Sequence, residues 1–110
     1  MRIIVDAMGG DNAPQAPVMG AVRAASELGV DVTLVGRREE VEKYLGAAAG
    51  VTVVDAREVI SMEDDPSTAT RRKKDSSMAV ALNMLKNGEG DAVVSAGSTG
   101  ALLTGATLTV

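Results

Sequence analysis

An α/β fold built on a parallel sheet is what this sequence predicts, on three observations. Short β-branched runs alternate with stretches of helical periodicity in the order βαβαβ, the signature of right-handed crossover units. Val32 to Val35 is apolar on both faces, as a strand covered by helices on each side has to be. Glycine-rich turns follow the first and fourth strand-like runs, at the end of the strands where open parallel sheets gather their ligands.

The elements follow in order. Ile3 to Val5 forms the first strand and leads into the turn Asp6-Ala7-Met8-Gly9-Gly10-Asp11-Asn12. Pro14 and Pro17, three residues apart, fit together around the first turn of a helix, where a missing N–H costs nothing. That helix is expected to run to about Leu28 on a stripe of Val18, Val22, Ala25 and Leu28, with Gly29 as its carboxyl cap. Val32 to Val35 is the second strand, ended by Gly36. A second helix is expected from Glu39 to about Ala48 through Val41, Tyr44 and Leu45, and Val51 to Val54 gives the third strand.

Asp65-Pro66 reads as the cap and first position of a short helix over residues 66–71. After the basic cluster Arg71 to Lys74, Asp75 or Ser76 caps a longer helix whose stripe is Met78, Leu82 and Leu85 and which ends near Lys86-Asn87-Gly88. Ala92 to Ser95 is the fourth strand, and the small and apolar residues from Ala101 to Val110 would begin another helix. A four-stranded sheet of this kind leaves an edge open, so the chain is expected to be part of a larger domain.

Composition narrows the chemistry. The 110 residues, 45% of them hydrophobic, suit one small domain, and no repeat or linker divides residues 1–110. With no Phe, no Trp and a single Tyr, the core must be aliphatic and bases have nothing to stack on. A net charge of −4 supplies no positive field, so no nucleic-acid partner is expected. The absence of Cys and His excludes disulfides, thiolate or imidazole metal ligands and a His base, and no metal is expected. No leader and no apolar run of about 20 residues is present, so a cytoplasmic location is expected.

The chemistry then falls to the two turns. Amides at a helix start point outward with the positive end of the helix dipole, and glycine lets an anion come close. The first turn offers Gly9 and Gly10 between Asp6 and Asp11, followed by Asn12; the second offers Gly97, Ser98, Thr99 and Gly100. Two such turns at one sheet edge point to a phosphate cradle, against the alternative that the glycines only permit sharp turns. Neither turn carries a dinucleotide or ATP signature, so no cofactor is expected.

Asp6 reads as a strand-end residue orienting the loop and Asp11 as a helix cap, rather than as a catalytic carboxylate pair. In the basic cluster, Lys74 is expected to turn inward, because it lies closest to the cap, towards a phosphate held near Ser76 and Ser77. A solvated basic face or a dock for an acidic protein are the alternatives. Met78 and Met84 read as core filler.

Three motifs, Val5-Asp6-Ala7-Met8-Gly9-Gly10-Asp11, Arg71-Arg72-Lys73-Lys74-Asp75-Ser76-Ser77-Met78 and Ala92-Val93-Val94-Ser95-Ala96-Gly97-Ser98-Thr99-Gly100-Ala101, stand in this order across almost the whole chain. In them the chain closely resembles the PlsX-type phosphate acyltransferases of bacterial phospholipid synthesis. It departs from that pattern at Asn12, where the family usually has His, and at Ser98, where it usually has Asn. Both replacements keep hydrogen-bonding capacity.

The resemblance implies a Rossmann-like three-layer αβα sheet, similar to isocitrate and isopropylmalate dehydrogenases and to phosphotransacetylases, incomplete in these 110 residues. It implies formation of acyl phosphate from acyl-acyl carrier protein and inorganic phosphate, without metal or covalent intermediate. It also implies homodimerisation, peripheral contact with the membrane surface, and catalytic side chains beyond residue 110, Lys74 being the candidate within the chain. By this reading the segment alone is inactive. The alternatives are a phosphotransacetylase-like enzyme using acyl-CoA and a noncatalytic anion-binding or dimerisation module.

Overall fold

Apolar β-branched runs and amphipathic stretches resolve into four strands and three helices in the computed structural model, which describes residues 1–10, 13–46, 50–59 and 72–95. In chain order they are β1 (Arg2–Asp6), α1 (Gln15–Leu28), β2 (Asp31–Gly36), α2 (Arg38–Leu45), β3 (Val51–Asp55), α3 (Ser77–Lys86) and β4 (Ala92–Val94). The strands form one parallel sheet in the order β3-β2-β1-β4, which establishes the α/β fold. The expected short helix over 66–71 and the helix from Ala101 lie outside the described residues.

The period of two along each strand divides the core into two layers. Val5, Val32, Leu34 and Val53 face α1 and α2, where they meet Val18, Ala21 and Val41. Ile4, Val35, Val54 and Val93 face α3, where they meet Ala81, Val80, Met84 and Leu85. Leu34 and Val35 are both fully buried, so β2 is covered on both faces as its sequence required. Burying side chains of this size contributes roughly 1.5–3 kcal/mol each.

Helix α1 starts after Pro14 and ends on Gly29, whose φ of 66° is the left-handed cap expected of it. Its buried stripe is turned from the expected one. Val18 and Ala21 are its buried residues, Val22 is half-buried, and Leu28 is exposed because its turn is the last before the chain leaves for β2. Similarly, α2 buries Val41 and half-buries Leu45 but leaves Tyr44 exposed, and it ends at the Gly46 cap rather than near Ala48. About one apolar position per turn, Val41 and then Leu45, seats this eight-residue helix on the sheet.

Ser76, not Asp75, caps α3: its Oγ accepts from the Ala79 N–H at 3.1 Å. Asp75 instead accepts from the Arg57 N–H through Oδ2 at 3.2 Å, tying the α3 entrance to the segment after β3. Substituting Ser76→Ala is expected to cost about 1 kcal/mol, the usual worth of such a cap, read from the urea midpoint. A loss below about 0.3 kcal/mol would show the cap to be dispensable.

Arg57 clamps the end of β3 to α2. Its two terminal nitrogens each donate to Glu39 at 2.9 Å, and one also donates to Asp55. Asp55 Oδ1 accepts in addition from the Arg38 N–H at 3.0 Å. The Arg57 hydrogen bonds hold the Glu39 carboxyl down from 4.5 to about 2. A depressed carboxyl contributes stability above its unfolded value, and loses it as pH falls through its folded value. Stability is therefore expected to fall between about pH 4.5 and pH 2 with a slope that Arg57→Gln flattens, measured by urea unfolding across that range. The groups are exposed, so 1 M salt is expected to shrink the difference.

Candidate functional site

The strand order places the chain's topological switch between β1 and β4. From β1 the chain winds outward to β2 and β3, then crosses back over the other face to β4. The carboxyl ends of two strands that adjoin at such a switch mark the crevice in which open α/β sheets bind ligands. Asp6 ends β1, and the register Val5 to Val94 sets Ser95 beside it.

Asp6 is 3% exposed, and its carboxylate is the centre of the crevice. Oδ1 accepts from the Met8 N–H at 3.1 Å and from the Ser77 hydroxyl; Oδ2 accepts from the Ser95 hydroxyl at 2.8 Å. One side chain thus ties the β1–α1 turn, the first residue of α3 and the end of β4. A buried carboxylate requires such donors, and the amino end of α3 adds favourable dipole to it. Within the turn itself, the Met8 N–H is the described donor that Asp6 holds.

Beside Asp6 opens a cavity of about 470 Å³. Asp6, Gly9, Gly10 and Ser95 line its end at the switch point, while Ile3, Val5 and Val94 of the sheet and Ala16, Pro17 and Gly20 of α1 make an apolar wall. Gly10 has a φ of 94°, a backbone conformation glycine adopts without cost and other residues do not. The Ala7 N–H is spent on Val35 O at 2.9 Å and the Met8 N–H on Asp6. Gly9 is buried, and no described residue accepts its N–H. A buried amide without an acceptor is uncommon in a folded chain, and this one lies in the cavity lining.

Of the residues singled out from sequence, the structure brings Asp6, Gly9 and Gly10 together. Asp11, Asn12, Gly97, Ser98, Thr99 and Gly100 lie outside the described residues. Ser76 is fully buried and occupied as the α3 cap, one residue from the Ser77 that reaches Asp6. The expected inward turn of Lys74 is corrected: Lys74 is exposed. Lys73 is the half-buried lysine, its Nζ donating to Val59 O at 2.9 Å, because the Lys73 carbonyl accepts the Ser76 N–H and fixes that residue against the neighbouring segment.

Sequence reasoning missed Ser95 as an Asp6 partner and gave Ser77 no role of its own. The signal was a polar residue at the end of each of two apolar strands, Ile3-Ile4-Val5-Asp6 and Ala92-Val93-Val94-Ser95. Only the strand order shows that these ends are neighbours.

The family model described as fatty acid synthesis protein matches residues 1–110. The chain is 47% identical over 110 residues to a phosphate acyltransferase of Thermoanaerobacterium thermosaccharolyticum, covering 100% of this chain and 33% of that protein. It is 52% identical over 107 residues to a phosphate acyltransferase of Geotalea uraniireducens, covering 94% of this chain and 31% of that one. A phosphate acyltransferase of Pediococcus pentosaceus is 52% identical over 104 residues, covering 94% and 30%. The chain thus spans about a third of the length of these curated relatives. No described helix is long and apolar enough to cross a membrane.

Proposed function

The chain belongs to the fatty acid synthesis protein family, and on that premise we propose that the protein carrying it is a phosphate acyltransferase making acyl phosphate from inorganic phosphate and an acyl thioester on acyl carrier protein. The observation that supports this reading is the cavity at the β1/β4 switch, lined by Gly9 and Gly10 beside the Asp6–Ser95 hydrogen bond.

In the reaction a phosphate oxygen attacks the thioester carbonyl, and a tetrahedral oxyanion forms. The carbon–sulfur bond then breaks, and the carrier protein leaves as a thiolate that takes up a proton. Phosphate is nucleophilic as it stands, so the enzyme's work is to hold it beside the carbonyl and to stabilise the oxyanion. The role of this segment is the first of these. The turn presents Gly9 and Gly10, and Asp6 holds that turn in register with β4. The acyl group, the carrier protein, a second subunit and the membrane surface on which the product is used engage parts of the longer protein as well as this segment.

The test is release of carrier protein thiol from palmitoyl-acyl carrier protein by the full-length protein, with and without inorganic phosphate. Phosphate-dependent release, with acyl phosphate as product, is the expected result. No release from the carrier protein while palmitoyl-CoA is consumed would sink the carrier-protein reading in favour of a CoA-dependent enzyme.

A further inference from the structure

The α1 face of the sheet is covered unevenly. Leu34 and Val32 of β2 are buried beneath α1 and α2, whereas Val94 of β4, in register with Val5 and so on the same face, stays 54% exposed. Ile3 and Val5 of β1 are half-buried between them. This strip and the Gly20 and Ala24 side of α1 enclose the apolar cavity of about 470 Å³, and the polar side chains among its described lining, Asp6 and Ser95, both stand at the switch-point end. A cavity of that size, apolar along its wall and polar at one end, has the make-up of a small-molecule site.

Gly20 sits in the interior of α1, where glycine is the least favourable residue after proline. Nothing lies within 4 Å of the place its Cβ would take, so no described neighbour requires a glycine there. What the glycine preserves is space in the cavity. The longer relatives continue beyond the matched third, and the winding rule says where a further connection goes. Steps from β1 towards β3 put their helices on the α1 face, and the step back to β4 puts α3 on the other. A right-handed connection that continues outward from β4 therefore crosses the α3 face and leaves the groove beside Gly20 open.

We propose that this groove holds the fatty acyl chain of the thioester, its carbonyl at the Asp6–Ser95 end and its methylenes running past Gly20 towards Ala24. The inference rests on the acyl-transfer reading above and adds the residue that sets chain-length preference. Attack requires the phosphate oxygen and the carbonyl carbon to lie about 3–3.5 Å apart, so the chain has to depart from the switch-point end, where the apolar strip begins. An unbranched chain needs no polar partner, and beyond that end the described wall offers none. Because α1 runs back from the switch-point end, residue order along it is depth. At 1.5 Å per residue, Gly20 lies roughly 8 Å and Ala24 roughly 14 Å past Gln15. A chain of four carbons stops short of Gly20, and a chain of sixteen passes it.

The experiment compares the full-length protein with its Gly20→Leu variant in phosphate-dependent release from palmitoyl- and butyryl-acyl carrier protein, with urea unfolding alongside. Leucine fills the groove yet favours the helix, so the urea midpoint is expected to hold or rise while the palmitoyl-to-butyryl ratio of kcat/KM falls about tenfold or more. Each buried methylene is worth about fourfold, so displacing two or three is enough. A ratio unchanged within threefold overturns the proposal, and so does a lowered midpoint, which would show a segment of the protein itself in the groove. Independently, palmitoyl-CoA bearing a diazirine at its terminal carbon is expected to label α1 or β1 of the unaltered protein, and labelling confined to other segments overturns the proposal. Labelling of α1 or β1 without any carrier-protein release sinks the carrier-protein reading and leaves the acyl groove standing. Release with the ratio unchanged does the reverse.

Discussion

Asp6→Ala is expected to destabilise the protein by about 3 kcal/mol and to lower phosphate-dependent turnover by about 100-fold or more. The magnitude follows from what the substitution strands. Three donors lose their acceptor: the Met8 N–H and the hydroxyls of Ser77 and Ser95. An unpaired buried donor costs about 1–3 kcal/mol, and the two hydroxyls recover part of that by rotating. Against a total stability of about 5–15 kcal/mol the loss is large.

Turnover falls further than stability because the three donors sit on three different elements. Without the carboxylate, the β1–α1 turn, α3 and β4 lose the tie that keeps them in register, and a displacement near 1 Å at a reacting centre is worth about two orders of magnitude in rate. Urea unfolding gives the first quantity, and carrier-protein release by the folded fraction gives the second. A stability loss under about 1 kcal/mol would show that water replaces the carboxylate, and the network would no longer explain the placement of the turn.

The parallel sheet was legible because its signals are local. Period-two apolar runs, a proline pair at one helix start and Gly29 at its end each depend on a few neighbouring residues. The failures share the opposite property. Leu28 and Tyr44 continue a helical stripe in sequence, yet they are exposed, because where a helix ends relative to the sheet decides which of its turns are covered. Lys73 and Lys74 differ by one position, and a backbone turn that closes from Ser76 to Lys73 decides which of them is held inward. Nothing in the run of four basic residues carries that information.

The candidate site divides along the same line. Gly9 and Gly10 announce themselves through composition, and Asp6 through its place at the end of an apolar strand. Ser95 and Ser77 belong to the site only because β4 pairs with β1 and α3 crosses the sheet on the far face, pairings between residues separated by 71 or 89 positions. Strand order is a property of the whole sheet, and one strand's sequence does not encode its neighbour.

Gly10→Val is expected to weaken phosphate binding at least tenfold while costing about 2 kcal/mol of stability, two effects with separate causes. The stability loss arises from the backbone. Gly10 sits at a φ of 94°, where a β-branched side chain collides with its own peptide units, and holding such a residue there costs about 1–3 kcal/mol. The binding loss arises from position, since Gly10 lines the cavity end beside Gly9 and Asp6, and an isopropyl group there occupies space the anion needs. Gly10→Asn separates the two, because Asn tolerates positive φ far better than Val. It is expected to recover most of the stability, read from the urea midpoint, and little of the phosphate affinity, read by equilibrium dialysis on the full-length protein. If Asn restored both together, Gly10 would serve the turn alone, and the anion would be held elsewhere along the switch-point crevice.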